Sequence, residues 1–392
     1  MRPLEGITVV TLEHAVAGPF CTRQLADLGA RVIKVERRDG GDLGRGYDRA
    51  VNGLASYFVW LNRGKESITL DVKHPSGREV LERLVSRADV VVQNLVPGAA
   101  ARLGLDHETL SRRDPRVVVC DISGYGDAGP YRDKKAYDML IQAEAGLVGV
   151  TGSADQPSRC GVSIADIASG MYAYSGVLTA LLVRERTGRG ARVEVSMLEA
   201  MAEWMSQPLY YGYYGGKPPA RAGATHPTIA PYGPHRAGDG REVIFGLQND
   251  REWATFCRAV LGRPELVADP RFCSNTARVA HRAELTAAIE AAFARMTAEQ
   301  VTALLERSGI ANGRINSVED VMAHPQLAAR GRWREVETGA GPMRALLPPA
   351  NVSGVEQAMG PVPTLGAHTD AILAALGYGP GDIEALRAQR VI

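Results

Sequence analysis

The chain has few cysteines, and none is placed to pair. Five of them (Cys21, Cys120, Cys160, Cys257 and Cys273) are scattered through 392 residues, never spaced as C-x-x-C. That argues against structural zinc and a disulfide framework, and it fits the reduced thiols of a cytoplasm. Net charge is almost absent: 45 Lys and Arg against 44 Asp and Glu leave +1, so no nucleic-acid partner or acidic tail is indicated. No apolar run reads as long enough to span a bilayer, and Met1 to Gly6 lacks a signal-peptide run. A cytoplasmic protein with no membrane partner is expected. Ligand templates are missing too. The turn after the first strand, Ala15 to Pro19, lacks G-x-G-x-x-G, there is no G-x-x-x-x-G-K-[ST] and no G-x-S-x-G, and none of the eight histidines forms H-E-x-x-H. Nicotinamide binding, a phosphate loop and a serine elbow are therefore disfavoured, and no metal is expected.

What is present is an ordinary globular composition, 45% hydrophobic and 23% charged, long enough for roughly two or three domains. Apolar runs at 7–12, 31–36, 67–72, 89–95, 116–123 and 191–197 alternate with helical patterns. This predicts an α/β fold with a mostly parallel sheet. Composition shifts at 206–224, which is rich in Pro, Gly and Tyr and reads as a linker. Residues 225–325 read as a smaller α/β domain.

A helical pattern starts at Asp166. Ile167, Met171, Tyr174, Leu178 and Leu181 recur at helical spacing, and Ala168, Ser169, Gly170, Ala173, Gly176 and Ala180 are small enough for another backbone to come close. Asp166 reads either as the N-cap of this helix or as a carboxylate held there for chemistry. Ligands of an open parallel sheet bind beyond the carboxyl ends of its strands. Arg37, Arg38, Lys73, Arg102 and Lys135 fall at such ends or in nearby loops, where they suit phosphate groups. A carboxylate nucleophile fits this inventory, because an Asp is ionised at neutral pH without a base, and a helix N-terminus helps keep it so.

The motifs resemble class III CoA-transferases, the family of formyl-CoA transferases, carnitine CoA-transferases and α-methylacyl-CoA racemases. The resemblance runs nearly end to end: Ala17-Gly18-Pro19, Leu25 to Glu36, Asn62 to Lys65, Leu70 to Lys73, Asp89 to Gly98, Ser123 to Gly126, Tyr137-Asp138, Asp166 to Met171, Glu185 to Val195, and Leu365 to Tyr378. Each motif is weak alone; their order is specific. The resemblance implies a Rossmann-like large domain of residues 1–205 and 326–392, and an interlocked homodimer. It implies acyl-CoA and a small carboxylic acid as substrates, with coenzyme A as cosubstrate. The family's catalytic aspartate falls on Asp166. Its CoA contacts fall on Ala15, Val16, Ala17, Arg37, Leu70, Val72, Lys73, Asn94, Leu95, Val96, Arg102, Lys135, Ala136 and Tyr137, with Asp138 beside the site.

Two departures narrow this reading. The family's racemases carry a histidine immediately before the position of Asp138, where this chain has Tyr137, so α-proton abstraction lacks its base. The glycine run of the formyl/oxalate enzymes is replaced by Gly246-Leu247-Gln248-Asn249-Asp250, which argues against oxalate. Trp204 to Tyr214, Pro231-Tyr232 and Gln248 to Trp253 look more like the branch handling dicarboxylates such as mesaconate, itaconate, malate or citramalate. Succinyl-CoA is the expected donor. The alternatives are intramolecular CoA transfer and an acyl-CoA racemase or epimerase. Tyr211, Tyr213, His226 and Tyr232 are candidates to line an acyl pocket, and Arg45, Arg49 or Arg221 to hold a distal carboxylate.

Overall fold

A computed structural model describes all 392 residues. The elements in order are β1 (Thr8–Leu12), α1 (Ala17–Asp27), β2 (Arg31–Glu36), α2 (Ser56–Asn62), β3 (Lys65–Thr69), α3 (Pro75–Val85), β4 (Val90–Gln93), α4 (Ala99–Arg102), α5 (His107–Arg113), β5 (Val118–Ser123), α6 (Asp138–Glu144), α7 (Leu147–Val150), α8 (Ile164–Thr187), β6 (Arg192–Ser196) and α9 (Met197–Trp204). They continue with α10 (Ser206–Gly215), β7 (Tyr232–Arg236), β8 (Glu242–Gly246), α11 (Asp250–Thr255), α12 (Asn275–Ala280), α13 (Arg282–Phe293), α14 (Ala298–Arg307), β9 (Asn312–Gly313), α15 (Val318–Met322) and α16 (Pro325–Ala329). The chain ends with the β10 (Trp333–Val336) and β11 (Met343–Leu346) hairpin, then α17 (Thr369–Ala375) and α18 (Pro380–Ala388).

The chain forms two compact units. The larger comprises 1–145, 161–205 and 326–392; the smaller comprises 146–160 and 206–325. In the larger, six strands run parallel in the order β3-β2-β1-β4-β5-β6. Residues that alternate along a strand bury opposite faces. Val9, Val32, Val90 and Val118 meet α1 and α8, while Val10, Ile33, Val91 and Val119 meet α3, α5 and α17. Burial on both faces is why the Val stretches of β4 and β5 read as apolar runs. The C-terminal segment closes onto β3: His368 N–H donates to Ser67 O at 2.9 Å, and Ser67 N–H donates to His368 Nδ1 at 3.1 Å.

Several expectations need correction. The third strand is Lys65–Thr69, not 67–72, because Asp71 N–H turns away to Val391 O at 2.7 Å. Residues 146–160 group with the smaller unit rather than the large domain. Gly223 N–H donates to Gly152 O, and Arg221 donates to Ser153 O and Ala154 O. The stretch 206–224 opens with a helix, α10, rather than running throughout as a linker. α8 is also long and apolar enough to cross a membrane by length and composition, contrary to the reading of the sequence. In this fold it packs on the sheet, where Ala173, Val177, Ala180 and Leu181 join one core cluster.

The small residues of α8 do bring another backbone close, as expected. Ala165, Ala168, Ser169, Gly170, Ala173, Val177 and Ala180 are buried, whereas Met171 is exposed. The small face wins because α1 lies so close. A Cβ on Gly170 would stand 2.7 Å from Ala17 O and 3.0 Å from Phe20 Cβ.

Candidate active site

Six parallel strands open their carboxyl ends on one edge. The order places the switch point between β1 and β4, where an open sheet leaves a crevice. Asn94 bridges it. His14 N–H donates to Asn94 Oδ1 and Asn94 Nδ2 donates to His14 O, both at 2.9 Å. Ala15 takes φ +62° and donates its N–H to Asp42 Oδ1 at 2.9 Å. α1 then begins at Ala17, and no side chain caps it. Gly18 is required, since a Cβ there would lie 2.8 Å from Glu13 Cβ. The expected Ala15, Val16, Ala17 and Asn94 thus come together.

Beneath this turn lies a buried charge cluster that the sequence did not announce. Glu13 accepts from Lys65 Nζ at 2.7 Å, from Lys34 Nζ at 3.2 Å and from Thr22 Oγ1 at 2.8 Å. Lys34 Nζ also reaches Asp42 Oδ2 at 2.7 Å. Glu36 accepts two bonds from Arg45, at 2.8 and 2.7 Å, and one from Ser67 Oγ at 2.6 Å. Glu36 therefore offers no free carboxylate to a ribose, and Arg45 none of its charge to a distal carboxylate. Burial alone would raise Asp42, but the Lys34 ammonium and the Ala15 and Gly44 amides outweigh it and bring Asp42 to about 2. The two lysines likewise hold Glu13 below its ordinary value against its burial.

Around the edge stand Arg37, Arg38, Lys73, Arg102 and Lys135, all exposed and none within 4 Å of a carboxylate. Arg37 reaches only Gly41 O, at 3.3 Å. Leu70 is 2% exposed, so only its backbone is left to face a ligand, while the half-buried Val72 and Leu95 pack against the same core. Val96 and Tyr137 are exposed. Ala136 lies against Gly124, where a Cβ would come within 2.2 Å of it.

Asp166 is not the N-cap. α8 starts at Ile164, and Asp166 sits inside its first turn. The capping oxygen belongs to Asp138, whose Oδ1 accepts from Ala165 N at 2.8 Å and from Asp166 N at 3.3 Å. Asp138 Oδ2 accepts from Gln142 Nε2 at 2.7 Å. The half-buried Asp166 side chain has no ion pair, and its pKa is raised to about 7, by burial first and then by the Asp138 charge. This corrects the expectation of a carboxylate held ionised by a helix N-terminus, because Asp138 has taken those amides and added a like charge. Tyr57 Oη comes within 3.4 Å of Ser163 Oγ, just before α8. The Tyr47 phenol is pushed up by burial and then by Asp42 and Asp166. Neither tyrosine was singled out from sequence; the apolar run 54–61 was the available signal for Tyr57.

The other acyl-pocket candidates lie in the smaller unit. There His226 stacks on Tyr232 with ring centres 5.3 Å apart, while Tyr211 and Tyr213 are exposed on α10. Arg221 is committed to backbone carbonyls. Arg49, in the larger unit, is exposed.

A parallel sheet with an uncapped helix start at its switch point, unpaired cations along its edge and a carboxylate raised by burial is an arrangement able to hold an anionic ligand beside a nucleophile. The chain belongs to CoA-transferase family III, which it matches over residues 4–369, and it is an enzyme of that class. It is 36% identical to the succinyl-CoA:glutarate CoA-transferase of Mus musculus, covering 100% of this chain and 91% of that protein. It is 38% identical to the acetyl-CoA:oxalate CoA-transferase of Acetobacter aceti, over 84% of each. Among solved structures, a CaiB/BaiF family protein from Brucella suis superposes with a TM-score of 0.83 at 37% identity, covering 95% of this chain and 99% of that one. These relatives fit the dicarboxylate branch, and coenzyme A is the cosubstrate of the class.

Proposed function

We propose that the protein moves CoA from an acyl-CoA, in the first instance succinyl-CoA, to a small dicarboxylic acid, with Asp166 as nucleophile. An Asp166 oxygen attacks the thioester carbonyl carbon. The C–S bond breaks, leaving a mixed anhydride and CoA thiolate. The thiolate attacks the Asp166 acyl carbon, freeing the donor carboxylate and forming an aspartyl-CoA thioester. The acceptor carboxylate then displaces the thiolate, and the thiolate attacks the acceptor's acyl carbon, restoring Asp166. One thioester is broken and one made, so the cycle needs no net proton, metal or nucleotide.

The observation that carries this reading is the Asp166 carboxylate itself. It is free of any cation, raised to about 7, and mounted on the rigid first turn of α8. A more basic carboxylate is a better nucleophile once ionised, and a fixed one is already aimed. The unpaired cations Arg37, Lys73, Arg102 and Lys135 would hold the CoA phosphates while the thiolate leaves and returns. The glutarate relative supports a C4–C5 acceptor, and the oxalate relative makes a shorter acid the competing choice. The racemase alternative has no supporting observation, since Tyr137 stands where its base would be.

The test is trapping. The enzyme is turned over with succinyl-CoA in hydroxylamine and the Asp166 peptide is weighed by mass spectrometry. A hydroxamate on Asp166 is expected, and an unmodified, fully active Asp166 would end the covalent reading. The same assay with a panel of free acids ranks the acceptors by the CoA esters formed. The expected homodimer and cytoplasmic location belong to the same proposal, to be read by light scattering and cell fractionation.

A further inference from the structure

Asp42 lies in the loop after β2, outside every motif that carries the family resemblance. Its side chain is 1% exposed, and every contact it makes has a use. Oδ1 accepts from Ala15 N at 2.9 Å and from Gly44 N at 2.8 Å. Oδ2 lies 2.7 Å from Lys34 Nζ, and the Asp42 N–H donates to Glu36 Oε2 at 3.0 Å. One carboxylate thus joins the turn after β1, the loop after β2 and the buried charges below.

The bond to Ala15 is the informative one. Ala15 has a Cβ, yet it adopts a left-handed conformation that such residues avoid unless their surroundings impose it. The peptide joining His14 to Ala15 is gripped at both ends. Its carbonyl accepts from Asn94 Nδ2, and its N–H donates to Asp42. The residues that follow, Val16 and Ala17, open α1 with no capping side chain. Their direction is set by the plane of the gripped peptide.

We infer that Asp42 is a positioning residue for the CoA thioester, acting through the Ala15 N–H to fix the turn on which the cosubstrate rests. This builds on the proposed CoA binding at that turn. It concerns an acceptor oxygen in a fixed place rather than a charge, so the two roles can be separated.

Two double variants do so. Asp42→Asn with Lys34→Met and Asp42→Leu with Lys34→Met each remove one positive and one negative buried charge, leaving Glu13, Glu36, Lys65 and Arg45 balanced. Only the first keeps an oxygen for Ala15. CoA binding is measured by titration calorimetry, and KM for the acyl-CoA and for the acid are measured separately, on samples matched for circular dichroism. The Leu/Met variant is expected to bind CoA about tenfold more weakly, with a parallel rise in acyl-CoA KM and kcat within about twofold, as loss of one charge-assisted hydrogen bond predicts. The Asn/Met variant is expected to stay within about threefold of wild type, since an amide oxygen remains in place. Equal CoA affinities in the two doubles, whether both strong or both weak, would overturn the inference alone. Failure of the wild-type protein to bind CoA would instead overturn the functional reading beneath it.

Discussion

Two sets of carboxylates lie near the same edge of one sheet, and burial pushes both toward neutrality with opposite results. Glu13, Glu36 and Asp42 are buried opposite Lys34, Lys65 and Arg45, and all three carboxyls end below their ordinary values. Asp166 is set beside Asp138, another carboxylate, and ends at about 7. The paired Asp42 holds a turn, whereas Asp166, beside a like charge, is pushed up. The pairing is not free of cost even in the cluster, since burial lowers Lys65 to about 8 despite Glu13. The lesson is that burial alone does not decide where a carboxyl titrates; the charge set beside it does.

The sharpest way to break this comparison is Asp166→Asn. Transferase activity should fall by about a thousandfold or more if the residue is the nucleophile. Stability should move the other way. The native pKa of about 7 exceeds the unfolded value of about 3.9, so between those limits the native state holds a proton that the unfolded chain has released. The ionised Asp166 therefore costs stability fully above pH 7 and not at all below about pH 4. Asp166→Asn should raise stability at pH 8, by up to about 4 kcal/mol less what water screens, read as a higher melting temperature, and the gain should vanish near pH 4. A variant less stable than wild type at pH 8 would contradict the raised pKa.

On the other side of the comparison, Glu13→Gln should cost about 3–5 kcal/mol, because it strands Lys34 and Lys65 with too few anions. Its pH dependence has the opposite sign. Glu13 and Asp42 have depressed native pKa values, so their stabilisation is present above about pH 4 and is lost as pH falls through the native values, about 2 for Asp42. Acid melts would show the difference: wild type should lose cluster stabilisation below pH 4, where Asp166 no longer matters. A Glu13→Gln protein as stable as wild type at pH 7 would mean that the cluster is incidental.

A smaller effect is expected where α8 meets α1. Gly170→Ala places a methyl 2.7 Å from Ala17 O, and the helices must part by a few tenths of an ångström. The cost should be about 1–3 kcal/mol by thermal melting, with loss of activity from a displaced Asp166. Unchanged stability would show that the close approach is not constrained.

The sheet is legible in the sequence because β1 and β4 are mostly apolar between turn signals and β2 keeps Val32, Ile33 and Val35, a pattern that two-sided burial imposes locally. Asp166 is legible as a helix-start carboxylate at a family motif. Its environment is not. Asp138, which caps α8, lies 27 residues before Ala165, and no local capping pattern reaches so far. The charge cluster joins Glu13, Lys34 and Lys65, drawn from three separate segments of chain, so each looks like surface charge until the sheet assembles them. The close face of α8 is legible too: its small residues mark where another backbone can approach, and Gly170 lies against Ala17 O. Leu70 falls on one of the family's ligand positions, yet its side chain is core; a motif gives the position and not the direction a side chain takes.

The finest test separates the two causes that raise Asp166. Burial comes first and the Asp138 charge second, so they should not contribute equally. Asp138→Asn removes the charge while leaving an amide oxygen to accept from Ala165 and Asp166. The cap survives and only the field changes. The acid limb of kcat/KM for the acyl-CoA should therefore move to lower pH by about one unit or less, and should stay well above the ordinary carboxylate range near 4. Asp138→Ala should move the limb similarly and also lose about 1 kcal/mol of stability with the cap. A limb that does not move in Asp138→Asn would assign the whole rise to burial and make Asp138 a cap only. A limb that falls to the ordinary range would make the like charge dominant, and the contrast with the paired cluster would then rest on Asp138 rather than on missing counter-charge.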